Sequence, residues 1–137
     1  MQSATPAATD RVDALPTAAR RTVIGLNLLG AATATISAVL GLVNPGVFGA
    51  DQITDWVTFY AGAYAARAIP LGIVMWVVLL TPALRTRKTV TVLAVVAGAA
   101  QLGDIVVGAT HGIPGMMAGA ALGAAMHFVS LIWLRRR

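Results

Sequence analysis

Few residues in this chain can do proton or charge chemistry, because 58% of it is hydrophobic and only 11% charged. Arg67 and Asp104 each stand alone in a long apolar run, and Gln101 and His127 occupy similar surroundings. A carboxyl group in such a setting is a proton donor when neutral and a base when ionised. Burial favours the first form and a neighbouring arginine the second. An imidazole, which titrates near neutrality, suits the complementary role. Asp104, His127 and Arg67 are therefore the candidate catalytic residues. Tyr60, Tyr64, Gln101 and Trp76 are candidates for binding a lipophilic substrate such as an isoprenoid or sterol-like molecule. The matching reaction class is isomerisation or cyclisation by proton transfer, with no cofactor. Other chemistries lack their parts. Ser130 is one helical turn from His127 but has no distinct acid beside it, which argues against a hydrolase. No glycine-rich phosphate loop follows a strand. Two histidines, five acids and no cysteine make a poor metal inventory and leave out disulfides and thiolate sites, so no metal site is expected.

These residues need elements to hold them, and the composition says which. Soluble domains carry about 25% charged residues, and the mean hydropathy here is +0.79, so a membrane protein is expected. A transmembrane helix takes about 20 mostly apolar residues. Four stretches qualify, at about 22–43, 57–80, 89–109 and 116–134. The breakers between them are "NPG" (Asn44–Gly46), "TPALRTRK" (Thr81–Lys88) and "HGIPG" (His111–Gly115). The apolar runs are continuous rather than alternating, which excludes a β-barrel. The expected fold is all-α: an antiparallel, left-handed bundle of four transmembrane helices, forming a membrane domain over residues 20–137. Residues 1–19, small, polar and proline-containing, read as a disordered cytoplasmic segment. The run that follows exceeds a signal peptide's apolar core, so a retained first span is expected.

Orientation follows from the basic residues. Arg11, Arg20 and Arg21 precede the first span, Arg85, Arg87 and Lys88 lie between the second and third, and Arg135, Arg136 and Arg137 end the chain. All sit on one side, which the positive-inside rule makes cytoplasmic, with both termini inside and the protein in the cytoplasmic membrane. The net charge of +5 then speaks for anionic lipid headgroups, with no nucleic-acid partner. Trp56 and Trp133 fall near the expected interfaces, and Trp76 lies one turn inside the cytoplasmic boundary.

A charge at mid-bilayer costs about 2.5–3.5 kcal/mol on insertion scales, so Arg67 and Asp104 need partners. At 1.5 Å per residue, the depths below the outer boundary are roughly 15 Å for Arg67, 16 Å for His127, 12 Å for Gln101 and 8 Å for Asp104. Helical spacing puts Tyr60, Tyr64 and Arg67 on one face of the second span. Gln101 and Asp104 share a face with Ala97 and Gly108, and His127 and Ser130 share one with Gly119 and Gly123. Small residues mark helix contacts in membranes, so these faces should turn inward and Arg67 should meet Asp104 across the interior. The plainer alternative is glue: an Arg–Asp pair and a Gln–His hydrogen bond tying helices together. Such hydrogen bonds average only about 0.6 kcal/mol. Gly119 and Gly123 read as internal packing, His111 as a solvated loop residue, and Asp51 and Asp55 as exposed outer-loop acids. Asn27 reads as too close to the cytoplasmic side to join the cluster.

"ARAIPLGIV" (Ala66–Val74), "GDIVVGATHG" (Gly103–Gly112) and the fourth-span His127 resemble the small four-helix membrane proteins of the domain-of-unknown-function 4267 type, themselves loosely DoxX-like. The resemblance covers about residues 22–134. Arg67, Gly103, Asp104, His111, Gly112 and His127 match that pattern. Ala65 stands where the family has glycine, and Ala68 where it has aspartate. The resemblance implies a four-helix fold and brings no activity with it. Beside the enzyme, two other readings stay open: a non-catalytic protein that binds lipid or quinone or moves a small solute, and an accessory subunit of a membrane complex. Membrane lipids are the expected partners, and transport through so thin a bundle would call for a homo-oligomer.

Overall fold

The computed structural model describes residues 10–50 and 52–135. Four helices account for most of them: α1 (Thr17–Val43), α2 (Asp55–Leu80), α3 (Arg87–His111) and α4 (Pro114–Arg135). All four are long and apolar enough to cross a membrane, so this is a multi-pass membrane protein built as an all-α four-helix bundle. Residues 1–9, Asp51, Arg136 and Arg137 fall outside the described residues, and with them part of the expectations for the lead-in, the outer acids and the basic C-terminus.

Local chemistry sets the helix ends. Pro45 stops α1, because proline cannot continue the ladder and disfavours a helical residue before it. Asn44 is extended there, and its side chain accepts from the Gly46 N–H at 3.1 Å to cap a 3-10 turn, Pro45–Phe48. Thr54 caps α2 through the Val57 N–H, and Thr86 caps α3 through the Thr89 N–H at 3.0 Å. α3 ends where Gly112 takes a left-handed conformation (φ 64°), which glycine adopts at no steric cost. Two residues later Pro114 opens α4, with its φ already preset for a helix. Pro70 lies inside α2, as membrane helices tolerate.

The packing is inside-out relative to a soluble bundle. Large side chains such as Ile36, Phe59, Ile73, Val106, Leu122 and Ile132 are exposed and face the hydrocarbon. The buried seams are small: Ala31, Ala38, Ala65, Ala68, Ala97 and Ala120. Without a hydrophobic drive between helices in lipid, close backbone approach is what holds them. α1 packs on α2 and α4, and α3 packs on α4, while α2 and α3 barely touch. The bundle is thus a ring with one loose seam.

The two ends differ. At the basic end, Val12, Leu15, Val23, Leu79 and Val90 form one buried apolar cluster. The lead-in contributes to it, so the expectation of disorder through residue 19 is corrected from Val12 onward. Val12–Ala14 form a 3-10 turn, and Val12 and Leu15, the only large apolar residues nearby, are buried against the helices. Polar ties hold this strap to the α2–α3 turn. The Val12 N–H donates to the Arg85 carbonyl at 3.1 Å, Arg11 donates to the Pro82 carbonyl at 2.6 Å, and Arg85 pairs with Asp13 at 2.8 Å. At the other end, which carries the α1–α2 and α3–α4 connections, residues of all four helices and of the Pro45–Phe48 turn surround a cavity.

Candidate functional site

Arg67 on α2 pairs with Asp104 on α3, the meeting across the bundle that the helical faces predict. It bridges the loose seam. The two partners are buried unequally: the Asp104 side chain is 2% exposed and that of Arg67 45%. The Arg67 guanidinium also lies 5.9 Å from the centre of the Tyr64 ring, within cation–π range. Arg67 takes only Oδ1 of the carboxylate. The other oxygen, Oδ2, is buried with no hydrogen-bond partner, an uncommon state for a buried polar atom.

Asp104 forms part of the wall of a cavity of about 250 Å³. Tyr64 and Gln101 stand beside it, and Thr33 and Ser37 approach from α1. The Pro45–Phe48 turn roofs the cavity through Val47 and Phe48. Leu40 and Leu122, both about half exposed, also line it. Glycine makes the room. Gly119 lines the cavity, and a Cβ there would meet nothing within 4 Å. Gly123 lets Gln101 in, since a Cβ at Gly123 would lie 3.0 Å from Cδ of that side chain. The glycine pair on α4 thus serves internal packing and the cavity.

His127 lies elsewhere. It is 2% exposed, sits against Gly30, where a Cβ would come within 3.1 Å of its ring, and shares with Asp104 only a central void of about 20 Å³, room for a single water. It does not line the larger cavity. Its hydrogen-bond partner is Asn27, Nδ1 to Oδ1 at 2.9 Å, so the expected Gln–His bond is replaced by an Asn–His bond. The exclusion of Asn27 from the cluster is likewise corrected. That exclusion counted residues from the outer helix ends, but α1 has 27 residues and α4 has 22, so equal counts do not mark equal depths. Asn27 shares a helical face with Val23, Gly30 and Ala31, all buried, and this small-residue stripe is the signal that identifies it.

Two proposed binding residues are not at this cavity. Trp76 is 44% exposed on the outer surface of α2, because Met75 and Leu79 take the inward positions of that turn. Tyr60 stands at the end of the bundle, its ring 5.7 Å from His111, which in turn lies 6.0 Å from Trp56. Trp56, Tyr60 and His111 line a separate pocket of about 450 Å³ at this end of the bundle. His111 is corrected from a loop residue to the last residue of α3, although it stays exposed. Asp55 is exposed at the start of α2. Among the described residues no three His, Cys, Asp or Glu side chains gather as metal ligands do. Comparison with family models, with curated proteins and with solved structures gives no match to this chain.

Proposed function

We propose that this integral membrane protein binds a lipophilic small molecule in the cavity between α1 and α4. One observation carries the reading: a deeply buried acid, Asp104, is among the residues that line a cavity of about 250 Å³ inside a bundle of membrane-spanning helices. Ligand sites are concave and mostly apolar, with a few placed polar groups, and ionisable residues within membranes point to functional sites. A simple helix tie would not need the chamber.

Acid–base chemistry on a bound alkene or epoxide, as in an isomerase or cyclase, narrows to Asp104 among the three candidate catalytic residues, because it alone of them lines the cavity. His127 stands against a different wall and is held by Asn27. Arg67 fixes Asp104 in place. Transport by a single chain is the weaker reading, because the basic end is packed with apolar side chains and strapped shut. Of the family resemblance, the motifs support a fold, and the function rests on the site. The location we propose is the cytoplasmic membrane with the basic end inside, from the charge distribution.

The test is extraction and mass spectrometry of lipophilic molecules that copurify with the wild type, with Gly119→Phe and with Asp104→Asn. The reading expects a defined compound on the wild type, lost when the benzyl group of Gly119→Phe fills the chamber and depleted or chemically altered in Asp104→Asn. Bulk lipid alone on all three proteins overturns it.

A further inference from the structure

We infer that the outer surface of the bundle carries a second lipophile site, at the α2–α3 seam, where Arg67 holds an uncharged molecule through an oxygen that accepts hydrogen bonds. The site is separate from the larger cavity, which Arg67 does not line, and it stands independently of the ligand proposed there.

Its first support is depth combined with exposure. Arg67 lies at the middle of α2, with twelve residues of the helix before it and thirteen after. Its bond to Asp104 holds the guanidinium at that level. The side chain is nevertheless 45% exposed. The central void beside it has room for a single water, too little for so much open surface, so the side chain shows on the outside of the bundle. Midway along a membrane-spanning helix, the medium outside is hydrocarbon.

The second support is unmet hydrogen bonding. A guanidinium carries five N–H donors. Nη2 donates to Asp104 Oδ1, and this is the only hydrogen bond of the side chain among the described residues. Hydrocarbon offers the other donors no acceptor, and polar groups without partners are costly in lipid. A molecule that brings an acceptor oxygen is therefore held here in preference to a plain acyl chain.

The third support is charge and room. Asp104 already balances Arg67. A carboxylate or phosphate head would add an uncompensated charge in the membrane, where charge is expensive, and an ammonium head would face the guanidinium. An uncharged oxygen does neither, whether it belongs to a ketone, an ester or a hydroxyl. A hydroxyl's hydrogen is also provided for, because Pro70, exposed within α2, has no N–H to give to the Ala66 carbonyl. Space comes from small neighbours. Ala63 and Ala66 on α2 and Ala99 and Gly103 on α3 are exposed, and a Cβ at Gly103 would meet nothing within 4 Å. A second copy of this chain fits poorly. Asp55 and Asp104 are the only acids in the four helices; the first lies at the start of α2 and the second is 2% exposed and already paired. Across a two-fold axis a copy would also bring its own Arg67 to the same patch.

The experiment uses pentadecan-8-one, isotope-labelled at its carbonyl, with pentadecane and pentadecanoate as the apolar and charged comparisons. The purified protein is placed in bilayers of ether-linked lipid, which has no carbonyl of its own. Binding is measured by native mass spectrometry, and the carbonyl band of the bound ketone by infrared spectroscopy. The wild type should bind the ketone at least about tenfold more tightly than either comparison, a difference of about 1.4 kcal/mol, and the band should move to lower frequency as the oxygen accepts hydrogen bonds. Preference and band shift should both vanish in the double variant Arg67→Met, Asp104→Leu, which removes the two charges together. They should also vanish in Gly103→Phe, which leaves the pair intact and fills the surface beside it. Gly119→Phe, in the larger cavity, should change neither. No preference in the wild type, or one that survives the loss of Arg67 or the filling at Gly103, overturns the site. Tighter binding of pentadecanoate overturns the uncharged assignment. A preference that Gly119→Phe removes overturns the site and puts the ketone in the larger cavity. A repeat in ester-linked lipid identifies the source of the oxygen. If the ketone then loses its advantage, the esters of ordinary lipid occupy Arg67; if it keeps the advantage, the occupant is a separate lipophile.

Discussion

At the scale of single residues, the unequal burial of the central ion pair makes its two halves unequal. In Arg67→Leu, Asp104 stays buried without its cation, and breaking a buried pair in this way costs about 3–5 kcal/mol. In Asp104→Leu, the half-exposed Arg67 can extend its guanidinium along the loose seam towards the interface, as long basic side chains do in membranes. Arg67→Leu should therefore destabilise more than Asp104→Leu, and the double variant should cost less than the sum of the two. Reversible unfolding in mixed micelles measures all three, and equal single effects that add would contradict the asymmetry. Asn27→Leu is a second test at this scale. It strips the buried His127 of its partner, and the loss should be about 1–2 kcal/mol, within the range for one orphaned polar group. An unchanged midpoint would mean that the Asn27–His127 bond contributes nothing. The pairing of Arg67 with Asp104 was legible in the sequence, because the two charges have few other partners in a chain this apolar and helical spacing turns both inward. Asn27 was not, since depth counted along one helix carries no information about how far its neighbour extends.

At the scale of elements, the cavity depends on where the Pro45–Phe48 turn sits, and Gly115 decides that. A Cβ on Gly115 would lie 2.5 Å from the Phe48 carbonyl oxygen and 2.9 Å from its carbon. These are backbone atoms, so no rotamer change relieves the contact, and the turn itself has to lift away from α4. Gly115→Ala should therefore cost about 1–3 kcal/mol, as overpacking does, and should raise amide hydrogen exchange in residues 45–48. Gly119→Ala, one turn along the same helix and open to the cavity, should leave both the stability and the exchange close to wild type. If the two variants behave alike, the turn is not seated by the glycine contact. The spans themselves were legible to within a few residues, because hydropathy and the Pro and Gly breakers act locally. The roof was not. The "NPG" motif marks a turn, but which helix that turn rests on is set by contacts distant in the chain. Trp76 and Tyr60 stand away from this cavity for the same reason: an aromatic near the right depth lines a given cavity only if its turn of helix faces it, and beside Trp76 Met75 and Leu79 take the inward places.

At the scale of the whole molecule, the bundle is closed at one end and hollow at the other, and charge follows the same axis. Arg11, Arg85 and Asp13 tie the closed end, where Arg20, Arg21, Arg87, Lys88 and Arg135 also lie. The connections at the hollow end contain no lysine or arginine. Composition alone foretold this polarity, because the positions of basic residues along the chain need no tertiary information. The hollow was beyond composition, since its lining comes from all four helices and the Pro45–Phe48 turn, which only the fold brings together. Joining the two gives a directional prediction. The positive-inside rule retains Lys- and Arg-rich ends on the cytoplasmic side, so the closed end should face the cytoplasm and the cavity should lie in the outer half of the membrane. Reporter fusions after Arg137 and within the α2–α3 turn should be active only as cytoplasmic reporters, and a fusion in the Asn44–Thr54 connection only as an exterior one. The prediction has a second, independent readout. Single cysteines in this cysteine-free chain can be labelled from one side of an intact membrane. Gln52→Cys, exposed at the hollow end, should react with an impermeant maleimide added outside, while Ala83→Cys, exposed in the α2–α3 turn, should react only after the membrane is opened. The reverse pattern would place the cavity in the inner half. Any ligand would then be drawn from the cytoplasmic leaflet, while the places of Asp104 and Gln101 in the cavity wall would stand unchanged.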